Sequence, residues 1–144
     1  KIPCKYLNYK NYESRDKADL EIINIFETYN IEIVVLAGWM KIVSSVLINH
    51  YKHRLINIHP SLLPSFKGIN AVKQALQQKV KITGCSVHLV EEKVDSGEIL
   101  IQSAVPVLVE DDKDILTQRI QKEEHKILSL GIAIAAKKWR GRDK

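Results

Sequence analysis

Pro60 constrains this chain more than any other single residue. It follows directly on the apolar run RLINIH, within the stretch RLINIHPSLLPSFKG at residues 54–68, and a proline cannot donate to a sheet ladder, so the strand must stop there. Side chains two apart on a strand share a face, which points Asn57 and His59 one way and Ile56 and Ile58 the other. Two polar groups therefore stand near the C-terminal end of an otherwise buried strand. Open α/β sheets place their ligands at that end.

Around this strand, helical and extended patterns alternate. SRDKADLEIINIFETYN predicts a helix with Leu20, Ile23 and Phe26 on one face, Ser14 or Asp16 as its cap and Asn30 as its stop. IEIVVLAG is a short β-branched run, the mark of a strand buried on both faces of a parallel sheet. SSVLINHY reads as a short helix capped by Ser44, and NAVKQALQQ as another capped by Asn70. ITGCSVHLV alternates as a strand, and EILIQSAVPVLV is extended until Pro106 interrupts it. The stretch DKDILTQRIQKEEHKILSLGIAIAAKKW predicts a long helix, with Ile115 and Arg119 on it and a capping-box pattern at Asp114. The fold class is α/β, with a mostly parallel twisted sheet flanked by helices in one domain over residues 1–144. A doubly wound domain that binds a phosphorylated ligand opens with a strand, a Gly-rich loop and a helix. Here the first glycine is Gly38 and the only methionine is Met40, so the expectation is a domain that is N-terminally incomplete as given.

Composition narrows the function classes. The net charge of +5, from 22 Lys+Arg and 17 Asp+Glu, is scattered rather than gathered into a stripe, apart from the tail KKWRGRDK; nucleic-acid binding is not expected. No apolar stretch approaches the ~18 residues of a membrane span, and KIPCKYLNYK has no signal-peptide core. Cys4 and Cys85 form neither a C-x-x-C pair nor a disulfide framework. The expectation is a cytoplasmic protein acting on small molecules, as a monomer or homodimer.

Three residues form a candidate catalytic set: Asn57, His59 and Asp95, the last in EEKVDSGE. An Asn amide donates to an oxyanion forming on a tetrahedral carbon. A histidine protonates that oxygen or moves a proton between attacking and leaving nitrogens. A nearby carboxylate favours its charged form. Such a trio needs no Ser or Cys nucleophile and fits acyl transfer from one nitrogen to another. Each residue also has a plain reading: Asn57 at a strand end, His59 packed in a turn, Asp95 before Ser96-Gly97 in ordinary turn chemistry. Elsewhere, His50 and His53 would share a helical face, but no third metal ligand is evident. His88 reads as a strand residue near the pocket, and His125 and Arg119 as helix-surface or ion-pair residues. Trp39 and Phe66 read as packing groups, with Trp39 bordering the pocket, and Cys85 as a small buried hydrophobe.

NIHPSLLPSFKG followed by GCSVHLVEEKVDSGEIL resembles the folate-dependent formyltransferase family, whose hallmark is Asn-x-His, a Leu-Leu-Pro turn and a later Asp-x-Gly. VVLAGWMKIVS, PSFKG and RIQKEEHKIL are similar to the branch of phosphoribosylglycinamide formyltransferases. The likeness runs from about Arg15 to about Ile134. It implies a Rossmann-like formyltransferase fold lacking its first strand–loop–helix, with 10-formyltetrahydrofolate as formyl donor, glycinamide ribonucleotide as acceptor and no metal. It makes His59 the general acid, Asn57 the holder of the formyl oxygen, and Asp95 the partner of His59. It implies donor-binding roles for Arg15, for Met40, Lys41, Ile42 and Val43 through their backbone, and for Glu91, Glu92, Lys93, Val94 and Asp95 in a closing loop. Gln121 and Glu124, on one helix face, match ribonucleotide contacts. Lys41 stands where many relatives carry Arg, and Glu98 where Pro is common. Formyltetrahydrofolate hydrolysis, methionyl-tRNA formylation and a non-catalytic folate-binding fragment are the alternatives. Without the phosphate-binding loop, the 144 residues alone are expected to transfer formyl groups poorly or not at all.

Overall fold

The computed structural model describes residues 2–141; the last three residues of the tail KKWRGRDK lie outside them. Four strands form one sheet in the order β1-β2-β3-β4: β1 Val34–Leu36, β2 Leu55–His59, β3 Ile82–Leu89 and β4 Ile99–Pro106. Four helices flank it: α1 Arg15–Thr28, α2 Ser45–His50, α3 Ala71–Gln77 and α4 Lys113–Arg140. A single 3-10 turn at Tyr9–Asn11 precedes α1. Among the described residues, no helix is long and apolar enough to cross a membrane.

The α/β class holds, but the sheet is mixed rather than mostly parallel. Only β1 and β2 run parallel; β2–β3 and β3–β4 are antiparallel. The connections explain this. The segment 60–81 carries the short helix α3, and β3 begins beyond the C-terminal end of β2, since His59 already pairs with Ser86. The chain thus enters β3 from the end at which it left β2. From β3 to β4 the link is a loop without a helix, which returns the chain antiparallel.

Alternation along β2 divides the core into two layers. Ile56 joins Val87 and Leu89 with Val72 of α3 and Leu116, Ile120 and Ile127 of α4. Leu55 joins Val34 and Leu36 with Ile23 of α1 and Leu47, Ile48 and Tyr51 of α2. On the second face the apolar residues stop at Leu55, and the next side chains with the same parity are Asn57 and His59. Gly131 lets α4 lie close on β3: a Cβ there would fall 2.5 Å from Val87 Cγ1.

Caps are where the local reading is partly corrected. Ser14 and Ser44 cap α1 and α2, accepting from Lys17 N and Leu47 N. Asn30 is left-handed, φ 52°, just beyond α1. Leu20 is half-exposed, because the buried face of α1 is Ala18, Asp19 and Ile23. Asn70 precedes α3 but is itself left-handed and makes no side-chain capping bond. The cap of α4 is Asp112, which accepts from Ile115 N at 2.8 Å, and Asp114 lies in the first turn. His50 is the last residue of α2 and His53 lies in the turn beyond with φ 64°, so the two do not share a helical face.

Candidate active site

The register of the antiparallel pair β2–β3 builds the site. Asn57 faces His88 and His59 faces Ser86 across the ladder, so these four side chains share one face of the sheet. The loop after β3 then brings Asp95 over them. Gly97 makes that turn feasible, since a Cβ on it would sit 1.9 Å from Leu89 O.

Asp95 is the hub. Its Oδ2 lies 3.3 Å from His59 Nδ1 and accepts from Gly68 N at 2.8 Å, while its Oδ1 lies 3.5 Å from His88 Nε2. Its own backbone is left-handed, φ 48°, which Asp tolerates better than most residues. His59, buried, places its other ring nitrogen, Nε2, 2.8 Å from Phe66 O. Each ring nitrogen of His59 thus faces an oxygen, an arrangement that the doubly protonated ring satisfies fully.

His88 plays the opposite part. Its Nδ1–H donates to Leu89 O at 2.8 Å. Because a carbonyl only accepts, the hydrogen-bond network assigns the proton to Nδ1 and leaves Nε2 to accept from Asn57 Nδ2 at 3.2 Å. Burial holds the His88 imidazole below the usual histidine range, against the opposing pull of the Leu89 carbonyl and Asp95. His88 therefore orients the Asn57 amide with its nitrogen toward the ring, and one amide N–H remains for a ligand.

A second buried network supports the turn that aims the Phe66 carbonyl. Ser86 Oγ donates to Ser61 O at 2.6 Å and accepts from Leu63 N at 3.0 Å. Gln102 Nε2 donates to both Ser86 Oγ and Leu63 O, at 2.8 and 3.0 Å. Ser61 Oγ donates to Ser65 O at 2.5 Å. Phe66 is held with φ 55°, an uncommon conformation for a bulky residue. Phe66 thus bears on the site through its backbone, not its ring. Lys67 Nζ donates to Ser96 Oγ at 2.8 Å, tying this turn to the Asp95 loop.

These groups stand in a cleft of about 410 Å³. Of the residues picked out in the sequence, Met40, Lys41, Ile42, Val43, Asn57, His59, Glu91, Glu92, Val94, Asp95, Gln121 and Glu124 line it, as do Trp39 and His88. Arg15 and Lys93 do not: Arg15 opens α1, and Lys93 is exposed in the loop after β3. Thr117, Ile120, Gln121 and Glu124 form one stripe of α4 along the cleft. Burial raises the Glu124 carboxyl above its ordinary range, and His125 and His59 pull it back in part. Arg119 faces away from this chemistry in a two-pronged pair with Asp111, at 2.5 and 2.7 Å. Residues 40–43 and 91–93 make no backbone hydrogen bonds among the described residues, so their peptide groups are free for a ligand with a polar edge.

Sequence reasoning underrated His88 and missed Ser86, Gln102 and Lys67. A signal was present for two of them, since Ser86 and His88 alternate on β3 as Asn57 and His59 do on β2. Only the register joins the two pairs.

The family model described as formyl transferase matches residues 1–132. The human trifunctional purine biosynthetic protein adenosine-3 is 44% identical over 135 residues, which is 94% of this chain and 13% of that protein. The phosphoribosylglycinamide formyltransferase of Escherichia coli K12 is 42% identical over 122 residues, 85% of this chain and 58% of the relative. The crystal structure of phosphoribosylglycinamide formyltransferase from Bacillus halodurans superposes with a TM-score of 0.86 at 38% identity, covering 94% of this chain and 69% of that one. The chain thus spans less than two thirds of the length of either curated relative. With the family model matching most of its length and the architecture superposing, this chain belongs to the formyl transferase family.

Proposed function

We propose that this site transfers the formyl group of 10-formyltetrahydrofolate to the amino group of glycinamide ribonucleotide. The observation that carries this reading is the convergence of an amide donor, a buried imidazole and a carboxylate at one end of a cleft with an apolar wall. Among the described residues, no serine or cysteine lines the cleft. Ser61 and Ser86 are fully buried with their hydroxyls engaged by backbone. Cys85 lies in the opposite core layer with its thiol pushed up by burial to about 12. This supports direct transfer between two bound nitrogens, without a covalent intermediate on serine or cysteine.

In that transfer a bond forms between the amine nitrogen and the formyl carbon, the bond from that carbon to the donor nitrogen breaks, and the proton lost by the amine ends on the donor nitrogen. Asn57 gives its remaining N–H to the formyl oxygen as negative charge gathers there. Protonated His59 supplies a proton at that oxygen or at the leaving nitrogen. Asp95 faces His59 Nδ1 across 3.3 Å and so orients the imidazole. The apolar side chains of Trp39, Met40 and Ile42 and the free peptide groups of 40–43 and 91–93 suit a flat heteroaromatic ring with polar edges. Gln121 and Glu124 offer polar contacts to the acceptor from α4.

The test is formyl transfer by the protein at its full encoded length, with both substrates supplied. His59→Ala is expected to lower kcat about 10²- to 10⁴-fold while circular dichroism stays unchanged. Near-normal transfer by that variant overturns the role given to His59. Release of formate without formylated acceptor overturns the choice of acceptor and points to hydrolysis.

A further inference from the structure

The wall at residues 38–43 is pinned from behind by residues that do not line the cleft. Lacking backbone hydrogen bonds of its own, this loop depends on what its ends and its side chains touch. Near its start, Trp39 stands between two hollows, the cleft and a larger apolar groove of about 880 Å³ beside β1. The Trp39 indole N–H is buried without a hydrogen-bond partner, so packing alone holds the ring. Tyr9 supplies part of that packing from the groove side, edge-on to Trp39 with centroids 5.9 Å apart and planes at 70°. In the middle of the loop, Lys41 Nζ lies 5.0 Å over the same Tyr9 ring. At the far end, Ser44 N donates to Asp19 Oδ2 at 2.8 Å.

These contacts meet in one carboxylate. Asp19, on the inward face of α1, is fully buried, and its second oxygen accepts from the Tyr9 hydroxyl. Burial and the neighbouring Asp19 raise the Tyr9 pKa well above the usual tyrosine range, which keeps that hydroxyl a donor. A buried carboxylate is retained at a cost unless its oxygens are occupied, and here both hold elements that set the loop. Released from Tyr9, Trp39 would have the open groove to relax into.

We propose that Asp19 and Tyr9 are positioning residues for the 38–43 wall, setting how tightly the cleft holds the flat ring of the formyl donor while taking no part in the transfer itself. This rests on the folate reading above. It does not depend on which acceptor is used.

The experiment uses the full-length protein with the variants Tyr9→Phe and Asp19→Asn. Tyr9→Phe removes the hydroxyl and keeps the ring under Trp39 and Lys41. Asp19→Asn keeps an oxygen for Ser44 N but offers an N–H where Tyr9 needs an acceptor. Calorimetric binding of tetrahydrofolate alone is expected to weaken about fivefold in Tyr9→Phe. The KM for the formyl donor should rise in step, while the KM for the acceptor and kcat at saturating donor hold within about twofold. Asp19→Asn should match it or exceed it; if that variant does not fold, Tyr9→Phe decides alone. Tetrahydrofolate affinity unchanged in Tyr9→Phe overturns the proposal. So does a joint fall of kcat and rise of both KM values, which marks general loosening. Failure of the wild-type protein to bind tetrahydrofolate overturns the folate reading itself, and is told apart from the other outcomes before any variant is made.

Discussion

At one end of the cleft, Asn57, His59 and His88 sit on paired strands, and each polar side chain has a named partner within 3.5 Å. In the loop after β1, residues 38–43 form a second part of the lining, a wall without backbone hydrogen bonds in which Met40 is 80% exposed. The contrast matches what each part is asked to do. Proton transfer and oxyanion stabilisation fall off steeply with misplacement, so those groups are fixed by register and by a second ring of buried bonds from Ser86 and Gln102. Holding a flat ring by its faces tolerates slack, and a loop anchored at a few points is sufficient. Substitutions in the two parts should therefore differ in kind: kcat should respond at the strand end, and donor KM at the wall.

The largest effect is expected at Asp95. Asp95→Ala removes the partner of His59, a neighbour of His88 and the acceptor for Gly68 N in one step. A drop in kcat of about a hundredfold to a thousandfold is expected, larger than the accompanying rise in donor KM. Single-turnover measurement separates the two. A change confined to KM would break the division between the two parts.

A smaller effect, on stability, is expected from His88. Burial holds its folded-state pKa below the unfolded value of about 6.5, so as pH falls the unfolded chain takes up the proton first. Its contribution is full above about pH 6.5 and is lost as pH falls toward the lowered value, with a slope of at most about 1.4 kcal/mol per pH unit. Asp95, His59 and Lys67 are the charged or titrating groups acting on it. Urea unfolding at about pH 7.5 and about pH 5.5 should show this loss in the wild-type protein and a shallower one in His88→Gln. Equal slopes would place the acid sensitivity on other groups.

How much of this was legible in the sequence follows from which interactions are local. Pro60 and the two-residue period revealed Asn57 and His59, because a strand end and its facing are properties of six adjacent residues. Ser14 and Ser44 were readable as caps for the same reason. Asp114 was read as the cap where Asp112 accepts from Ile115 N, since acidic residues crowd that turn and only geometry tells them apart. Asn70 failed as a cap because its backbone is left-handed rather than extended, and its side chain makes no capping bond. The roles of His88 and Ser86 depend on β3 running antiparallel to β2, and a sheet read as mostly parallel brings neither opposite its true partner. Asp95 was picked out as a carboxylate that could partner His59, and family likeness strengthened that choice, but nothing local indicates that a turn beyond the next strand folds back over His59.

The finest test of the contrast is Met40→Ala. Met40 lines the cleft yet is largely exposed in the free protein, so truncating it removes little burial and should leave the melting temperature nearly unchanged. Any contribution it makes arises when a ligand covers it. Covering part of a Met side chain contributes a fraction of the ~1.5–3 kcal/mol of full burial, which corresponds to an affinity change of about fivefold or less. Tetrahydrofolate affinity and donor KM should weaken together by that amount, and kcat should stay where it was. Should kcat fall instead, the wall would be coupled to the strand end during the reaction, and the slack attributed to it would belong only to the free protein.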